Sequence, residues 1–288
     1  MMRIKQAAEL TGVPEHTLRA WERRYGAFGV ARSSGGYRLY DDHALDRIRL
    51  MRQLIAGGLP PREASVEVAR RHESPGQVTG LPLDPREWER LLSALRRLDA
   101  GEVKAIVDGQ FARLELEALV DGWLMPVLRH VGRAWARGEI TVAGEHLMSN
   151  VVLRRLAPVF DAAGTSASGP PVIIGAPTGV LHDLALMAFA VCVRRQGVST
   201  LFLGNDVPVS AWVDAQRSTG SDLSVTGLYR RADKARVSAL AEGLWRDQPR
   251  TQLLVGGSQQ WLAPTGSVLL GHSLAAGART VAELVRVG

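Results

Sequence analysis

TLRAWERRYGAFGVARSSGGYRLY, residues 17–40, changes character midway. In its first half Leu18, Trp21 and Tyr25 recur at spacings of three and four, so they share the apolar face of a helix. Thr17, Arg19, Arg23 and Arg24 are then turned outward. In its second half Ser33–Ser34–Gly35–Gly36 has the chemistry of a tight turn, because glycine accepts the positive φ such turns need. Tyr37–Arg38–Leu39–Tyr40 then alternates like a strand. A basic helix followed by a basic hairpin predicts a reading head with a wing: the helix enters a DNA major groove while the hairpin grips flanking phosphates. Upstream, Ile4–Leu10 predicts a short helix and Thr11–Gly12–Val13–Pro14 breaks it, which is helix–turn–helix spacing.

IKQAAELTGVPEHTLRAWERRYG followed by GGYRLY resembles the N-terminal winged helix–turn–helix of MerR-type transcription regulators, over residues 3 to about 72. The resemblance implies contacts to double-stranded promoter DNA from Thr17, Arg19, Arg23, Arg24, Tyr37, Arg38 and Tyr40. It also implies a homo-oligomer, since such heads act in pairs on two-fold symmetric sites.

At 288 residues the chain has room for two or three domains. Its 46% hydrophobic and 22% charged content excludes a disordered chain and fits an ordinary globular one. The net charge of +6 favours an anionic partner. Residues 1–75 carry 13 Lys/Arg against 9 Asp/Glu, so local arrangement rather than bulk charge must do the recognising. The one cysteine, Cys192, sits in an apolar run and reads as inert core. No apolar run approaches the ~20 residues of a membrane span, and the start lacks the apolar core of a signal peptide. A cytoplasmic protein is expected.

After the wing, Asp41–Asp42 can cap a helix whose apolar face is Ala44, Leu45, Ile48, Met51, Leu54 and Ile55. Pro60–Pro61 starts another, to about Arg71. His72–Pro85 is polar, rich in Gly and Pro, and reads as a linker. Residues 86–164 read as four helices with short links, a small bundle; the third, Leu116–Trp135, is expected to bend at Pro126. From Pro171 the texture becomes short apolar runs alternating with helical segments. The runs are Val172–Gly175, Ser199–Leu203, Leu223–Gly227, Gln252–Gly256 and Ser267–Leu270, and they imply a parallel sheet covered on both faces. The expected architecture is multidomain, α and α/β: a winged helix–turn–helix head (1–75), a four-helix bundle (84–165) and a Rossmann-like parallel-sheet domain (170–288).

In such sheets ligands sit beyond the carboxyl ends of the strands. Those ends carry His182, Gly204–Asn205–Asp206–Val207–Pro208 and Gly256–Gly257. In the bundle, Trp135 is followed ten and eleven residues on by Glu145 and His146. This combination resembles the sensor half of CarH/LitR-type photoreceptors, a helical cap over a cobalamin-binding domain. The resemblance implies adenosylcobalamin as cofactor and light as signal. It implies Trp135 above the corrinoid's upper group, Glu145 as part of the same cofactor-binding motif next to His146, and His182 as cobalt ligand from below. His146 would become a cobalt ligand once light breaks the cobalt–carbon bond, and Gly256 and Gly257 would leave backbone for the nucleotide tail. A dimer or tetramer that changes with ligand state is implied too.

The sequence departs from that pattern at the floor. Where the pattern has an acid two residues before the lower histidine, this chain has Val180; Ala185 stands for its closing glycine. Gly227, followed by bulky Leu228 and Tyr229, replaces a serine. A second reading therefore stays open: a regulator whose sheet domain takes another small molecule or serves as an interaction module. A corrinoid enzyme or carrier is a third, opposed by the reading head. No Ser/His/Asp, paired-carboxylate or P-loop pattern points to catalysis, so no enzyme is expected.

Overall fold

The structure, a computed structural model, describes residues 2–26, 28, 31–32, 38–40, 42–56, 59–65, 68, 84–164, 169–181 and 184–287. The chain divides into two compact units, Met1–Gln77 and Val78–Gly288.

The first unit opens with α1 (Ile4–Thr11) and α2 (Glu15–Tyr25), joined through Gly12, whose φ of +66° only glycine adopts at ease. A short hairpin follows, β1 (Ala31–Arg32) pairing antiparallel with β2 (Arg38–Leu39), and then α3 (Asp42–Ala56). Leu18, Phe28, Tyr40, Ile48 and Met51 form its buried centre. Two arginines of α3 act structurally: Arg49 donates to the Leu10 carbonyl at 3.1 Å and Arg52 to that of Thr11 at 2.8 Å. They satisfy carbonyls that the end of α1 leaves without helical partners. Part of the head's positive charge is thereby spent on the turn rather than on a partner. The expected tight turn at Ser33–Gly36, with Tyr37 and Asp41, lies outside the described residues; of the helix predicted from Pro60–Pro61, residues 61–65 are helical as expected, and its end near Arg71 lies outside the described residues.

The second unit starts with α4 (Pro85–Arg97) and α5 (Ala100–Arg113). Pro85, expected to close a linker, is instead the first residue of α4: its missing N–H is one the helix start cannot use, and Asp84 caps by accepting from Arg86 N. The third bundle helix runs as α6 (Leu116–Leu119), a π turn (Val120–Leu124) and α7 (Met125–Ala136). The expected irregularity near Pro126 is thus a widened turn just before it, where the proline ring would otherwise press on the preceding turn. The fourth helix is α8 (Val142–Ala162), capped by Thr141.

The sheet and its helices follow: β3 (Val172–Pro177), α9 (Leu184–Arg195), β4 (Thr200–Val207), α10 (Val209–Thr219), β5 (Leu223–Gly227), α11 (Lys234–Asp247), β6 (Gln252–Gly256), β7 (Val268–Leu269) and α12 (Leu274–Val287). All neighbours are parallel, in the order β4-β3-β5-β6-β7. Helices α9 and α12 cover one face, α10 and α11 the other. The strand order therefore reverses between β3 and β5, which makes the carboxyl end of that pair the switch-point crevice.

Every residue of α9 from Leu186 to Val193 is buried. A helix apolar all round must be covered on two sides; here the sheet covers one and the bundle's α8 the other, so bundle and sheet share a single core. A second tie holds the two together. Asp121, in the π turn, accepts from Ser273 Oγ (2.7 Å), Leu274 N (2.7 Å) and Ala275 N (3.2 Å), capping α12 from across the core. Cys192 lies inside this core, and burial pushes its thiol up to about 12, which keeps it protonated.

Candidate functional site

On α2, a rotation of 100° per residue separates the predicted contacts into two flanks. Arg19 and Arg23 lie on the side next to Glu22; Thr17 and Arg24 lie on the other side, next to Trp21. The wing joins the first flank: Arg38 Nε donates to Glu22 Oε2 at 2.7 Å, with both side chains mostly shielded from water. Arg19 is exposed and pairs with Glu15 at 2.9 Å. Arg23 and Arg24 are exposed, and Thr17 is half-buried. Tyr40 corrects the expectation of a DNA contact. Its side chain is 0% exposed, so its ring is core and cannot reach a phosphate. Burial first, then the Glu22 carboxylate near its hydroxyl, push its phenol up to about 12. Tyr37 lies outside the described residues.

The second unit sets one end of its bundle against the carboxyl side of the sheet. Helix α9 runs down from the carboxyl edge of the sheet, and its last turn is tied to the end of α8: Arg194 donates to the Phe160 carbonyl at 3.0 Å and stacks on the Phe160 ring at 3.5 Å. At 1.5 Å per residue α9 spans about 18 Å and α8 about 30 Å. The first turns of α8 therefore stand beyond the start of α9 and overhang the carboxyl edge. Those turns carry Val142, Glu145 and His146. Trp135, in the last turn of α7, shares that end of the bundle through the short 137–141 connection.

At this end apolar surface stays open. Trp135 is 47% and Val142 52% exposed, where a bundle tryptophan would ordinarily be buried. His146 is exposed, with its Nδ1 2.7 Å from Glu145 Oε2. Ser149 Oγ donates to the other carboxylate oxygen at 2.9 Å, so Glu145 is held in place. A histidine whose Nδ1 is fixed by a carboxylate presents Nε2 as the lone pair for a transition metal.

Below the overhang, the loop after β3 is gripped by the end of β4. Gly179 N donates to Asp206 Oδ1 at 2.7 Å, and Asn205 Nδ2 to the Leu181 carbonyl at 3.4 Å. Asp206 adopts φ +57°, a left-handed conformation uncommon outside glycine. Leu181 is 68% exposed; Val180, where an acid was expected by resemblance, is buried and apolar. His182 and Asp183 lie outside the described residues. Gly256 and Gly257 do not serve one purpose. Gly257, at φ +95°, lies where a Cβ would meet the Leu228 carbonyl at 2.5 Å, so it lets the β6 loop close on the β5 loop. Gly256 has open space beside it, with Leu270 Cδ1 at 3.9 Å as its nearest contact.

For a flat macrocycle with a metal centre the upper wall fits: one broad aromatic, one β-branched apolar side chain and one oriented imidazole. The floor is self-filled in the crevice. The Tyr229 ring lies over Gly227, and Arg236 of α11 lies over Gly179. Nothing in the sequence marks Asp206, Arg236 or Asp121 individually. Their partners are distant along the chain, and only the unusual backbone angle of Asp206, invisible in sequence, marks it locally.

Residues 2–69 match the MerR HTH family of regulatory proteins, and residues 87–157 match a B12 binding domain. The HTH-type transcriptional repressor CarA of Myxococcus xanthus is 33% identical over 259 residues, 89% of this chain and 86% of CarA. CarH of the same organism is 33% identical over 214 residues, 72% of this chain and 71% of CarH. The monomethylamine corrinoid protein of Methanosarcina barkeri superposes with a TM-score of 0.50 at 17% identity, over 69% of this chain and 98% of its own, which shows a shared fold.

Proposed function

Since this chain belongs to the family of MerR-type transcriptional regulators with a B12-binding-type domain represented by CarA and CarH, we propose that it is a repressor whose hold on promoter DNA is set by a corrinoid. The observation that carries the reading is the overhanging end of the bundle: Trp135 exposed, and His146 oriented by Glu145, above the carboxyl edge of the sheet. No step of this function requires turnover by the protein.

In the finer form of the proposal the ligand is adenosylcobalamin and the signal is light. Such a group supplies a cobalt–carbon bond that light cleaves. The protein's part is to bind and to respond. Trp135, His182 and His146 would hold the group: Trp135 would give it an aromatic cover, and His182 and His146 would offer imidazole nitrogens to the metal. Asp121 ties the third helix of the bundle to α12. The protein then has two arrangements that the ligand contacts differently, as a ligand-driven population shift requires. The DNA side of the proposal rests on Arg19 and Arg23 on one flank of α2, with Arg38 of β2 paired to Glu22 there, and Thr17 and Arg24 on the other flank; two heads on one symmetric site gain affinity through effective concentration.

The test is visible absorption of the full chain saturated with adenosylcobalamin, in the dark and after illumination, for wild type and His146→Ala, with promoter binding measured in parallel. A bound corrinoid spectrum, changed by light together with DNA affinity, supports the proposal. Saturation without a bound corrinoid spectrum refutes it. A photoproduct spectrum unaltered by His146→Ala refutes His146 as the light-state ligand alone.

A further inference from the structure

The crevice between β3 and β5 is where an open parallel sheet of this strand order takes its ligands, and at the carboxyl end of β5, one strand of that pair, the chain packs one of its own side chains. Val225 of β5 lies in the core formed with α9 and α12, whereas Ser224 Oγ accepts from Gln216 of α10. Side chains alternate along a strand, so position 227 faces the α9/α12 side, the side on which the bundle is packed. At Gly227 the backbone is not in the left-handed region, so no turn demands a glycine there. What the missing Cβ provides is room, and the Tyr229 ring fills it: a Cβ at 227 would collide with its Cε2, Cζ and hydroxyl oxygen. The backbone beneath the ring is pinned. Leu228 N donates to the Gly256 carbonyl at 2.9 Å, Gln259 N to the Leu228 carbonyl at 2.9 Å, and Ser258 Oγ to the Tyr229 carbonyl at 3.0 Å. Rotation of the half-buried side chain is therefore the economical way to clear the groove.

We infer that Tyr229 is a specificity-determining residue that occupies the switch-point groove and makes this chain favour a corrinoid ring without a nucleotide arm over one that must seat its arm there. The inference rests on the corrinoid reading above. A corrinoid has two parts with different needs. Its flat ring asks for a broad wall, which Trp135 and Val142 provide. Its nucleotide arm asks for a narrow groove beside the ring, and entering this one requires expelling a packed aromatic. The cost of that displacement falls on arm-bearing ligands alone, which is how a filled pocket discriminates between two related molecules.

The experiment compares equilibrium binding of hydroxocobalamin and diaquacobinamide, which share the ring and the cobalt and differ in the arm. It uses the full chain as wild type, Tyr229→Ala and Tyr229→Phe, with far-ultraviolet circular dichroism to confirm folding. Wild type and Tyr229→Phe are expected to bind diaquacobinamide roughly tenfold more tightly than hydroxocobalamin, and Tyr229→Ala to close that gap by improving hydroxocobalamin alone. Equal affinities in the wild type overturn the inference while leaving the corrinoid reading intact, and this comparison needs no variant. A preference that survives Tyr229→Ala in a folded protein overturns the role of the ring. If neither corrinoid binds any of the three proteins, the corrinoid reading is overturned and the inference with it.

Discussion

Glu22 sits on the reading helix of a DNA-binding head, where a carboxylate repels phosphate, and its pairing with Arg38 gives it a purpose that can be measured. At 2.7 Å and an effective dielectric of about 20 the attraction is about 6 kcal/mol before costs. Desolvation and the ordering of two long side chains reduce such a partly shielded pair to about 1 kcal/mol net. The pair uses Arg38 Nε and leaves the two terminal nitrogens to donate to a phosphate. Arg38→Ala is expected to weaken promoter binding roughly tenfold and to lower the slope of log K against log salt by about 0.9, one phosphate contact. Glu22→Gln retains the Arg38 charge but releases its orientation, so binding should weaken up to about fivefold with the slope unchanged. In the double variant the loss should not exceed that of Arg38→Ala by itself, a coupling of about 1 kcal/mol. Fluorescence anisotropy across a salt series measures all four proteins. Removing a negative charge from this flank would by simple repulsion tighten binding. Tighter binding by Glu22→Gln, or additive losses in the double variant, refutes the positioning role; an unchanged slope in Arg38→Ala refutes the phosphate contact.

Tyr40→Phe should leave the salt slope of DNA binding untouched, because the ring is buried; a changed slope returns Tyr40 to the interface. The same phenol has a folded pKa of about 12 above its unfolded value, so its neutral form is favoured in the fold: that contribution is full below about pH 10 and drains away between there and 12. An alkaline absorbance titration should lose one late-ionising tyrosine in Tyr40→Phe. Asp121→Ala leaves three donors at the start of α12 without their acceptor and should cost about 2 kcal/mol in urea unfolding; a change under about 0.5 kcal/mol would show that water replaces the carboxylate. Cys192 should resist thiol reagents at neutral pH in the native chain and react fully in denaturant; native labelling would refute its place in the core.

Local pattern decided a great deal by itself. The spacing of Leu18, Trp21 and Tyr25, the break at Gly12–Pro14 and the alternation of apolar runs with helices after Pro171 each reflect a period of the backbone, and a period is visible in one dimension. The Trp135, Glu145, His146 triplet is visible in one dimension too, as a family pattern at fixed spacing. What sequence could not reveal were juxtapositions across the fold. Tyr40 reads as a wing tyrosine, yet the strand's alternation leaves open which face is core, and packing against Leu18 and Ile48 chose the inside. Arg38 reads as a phosphate ligand, and only tertiary contact shows it paired with Glu22. Bundle and sheet read as two domains, while the all-apolar α9 between them makes one core. The carboxyl edge of the sheet was decided in space most of all. Gly227 and Tyr229 stand out in the sequence only as a departure from the family pattern, and it is the strand's pleat that puts the ring over the missing Cβ. Periodicity is a property of the chain, but which groups fill which spaces depends on elements far apart along it.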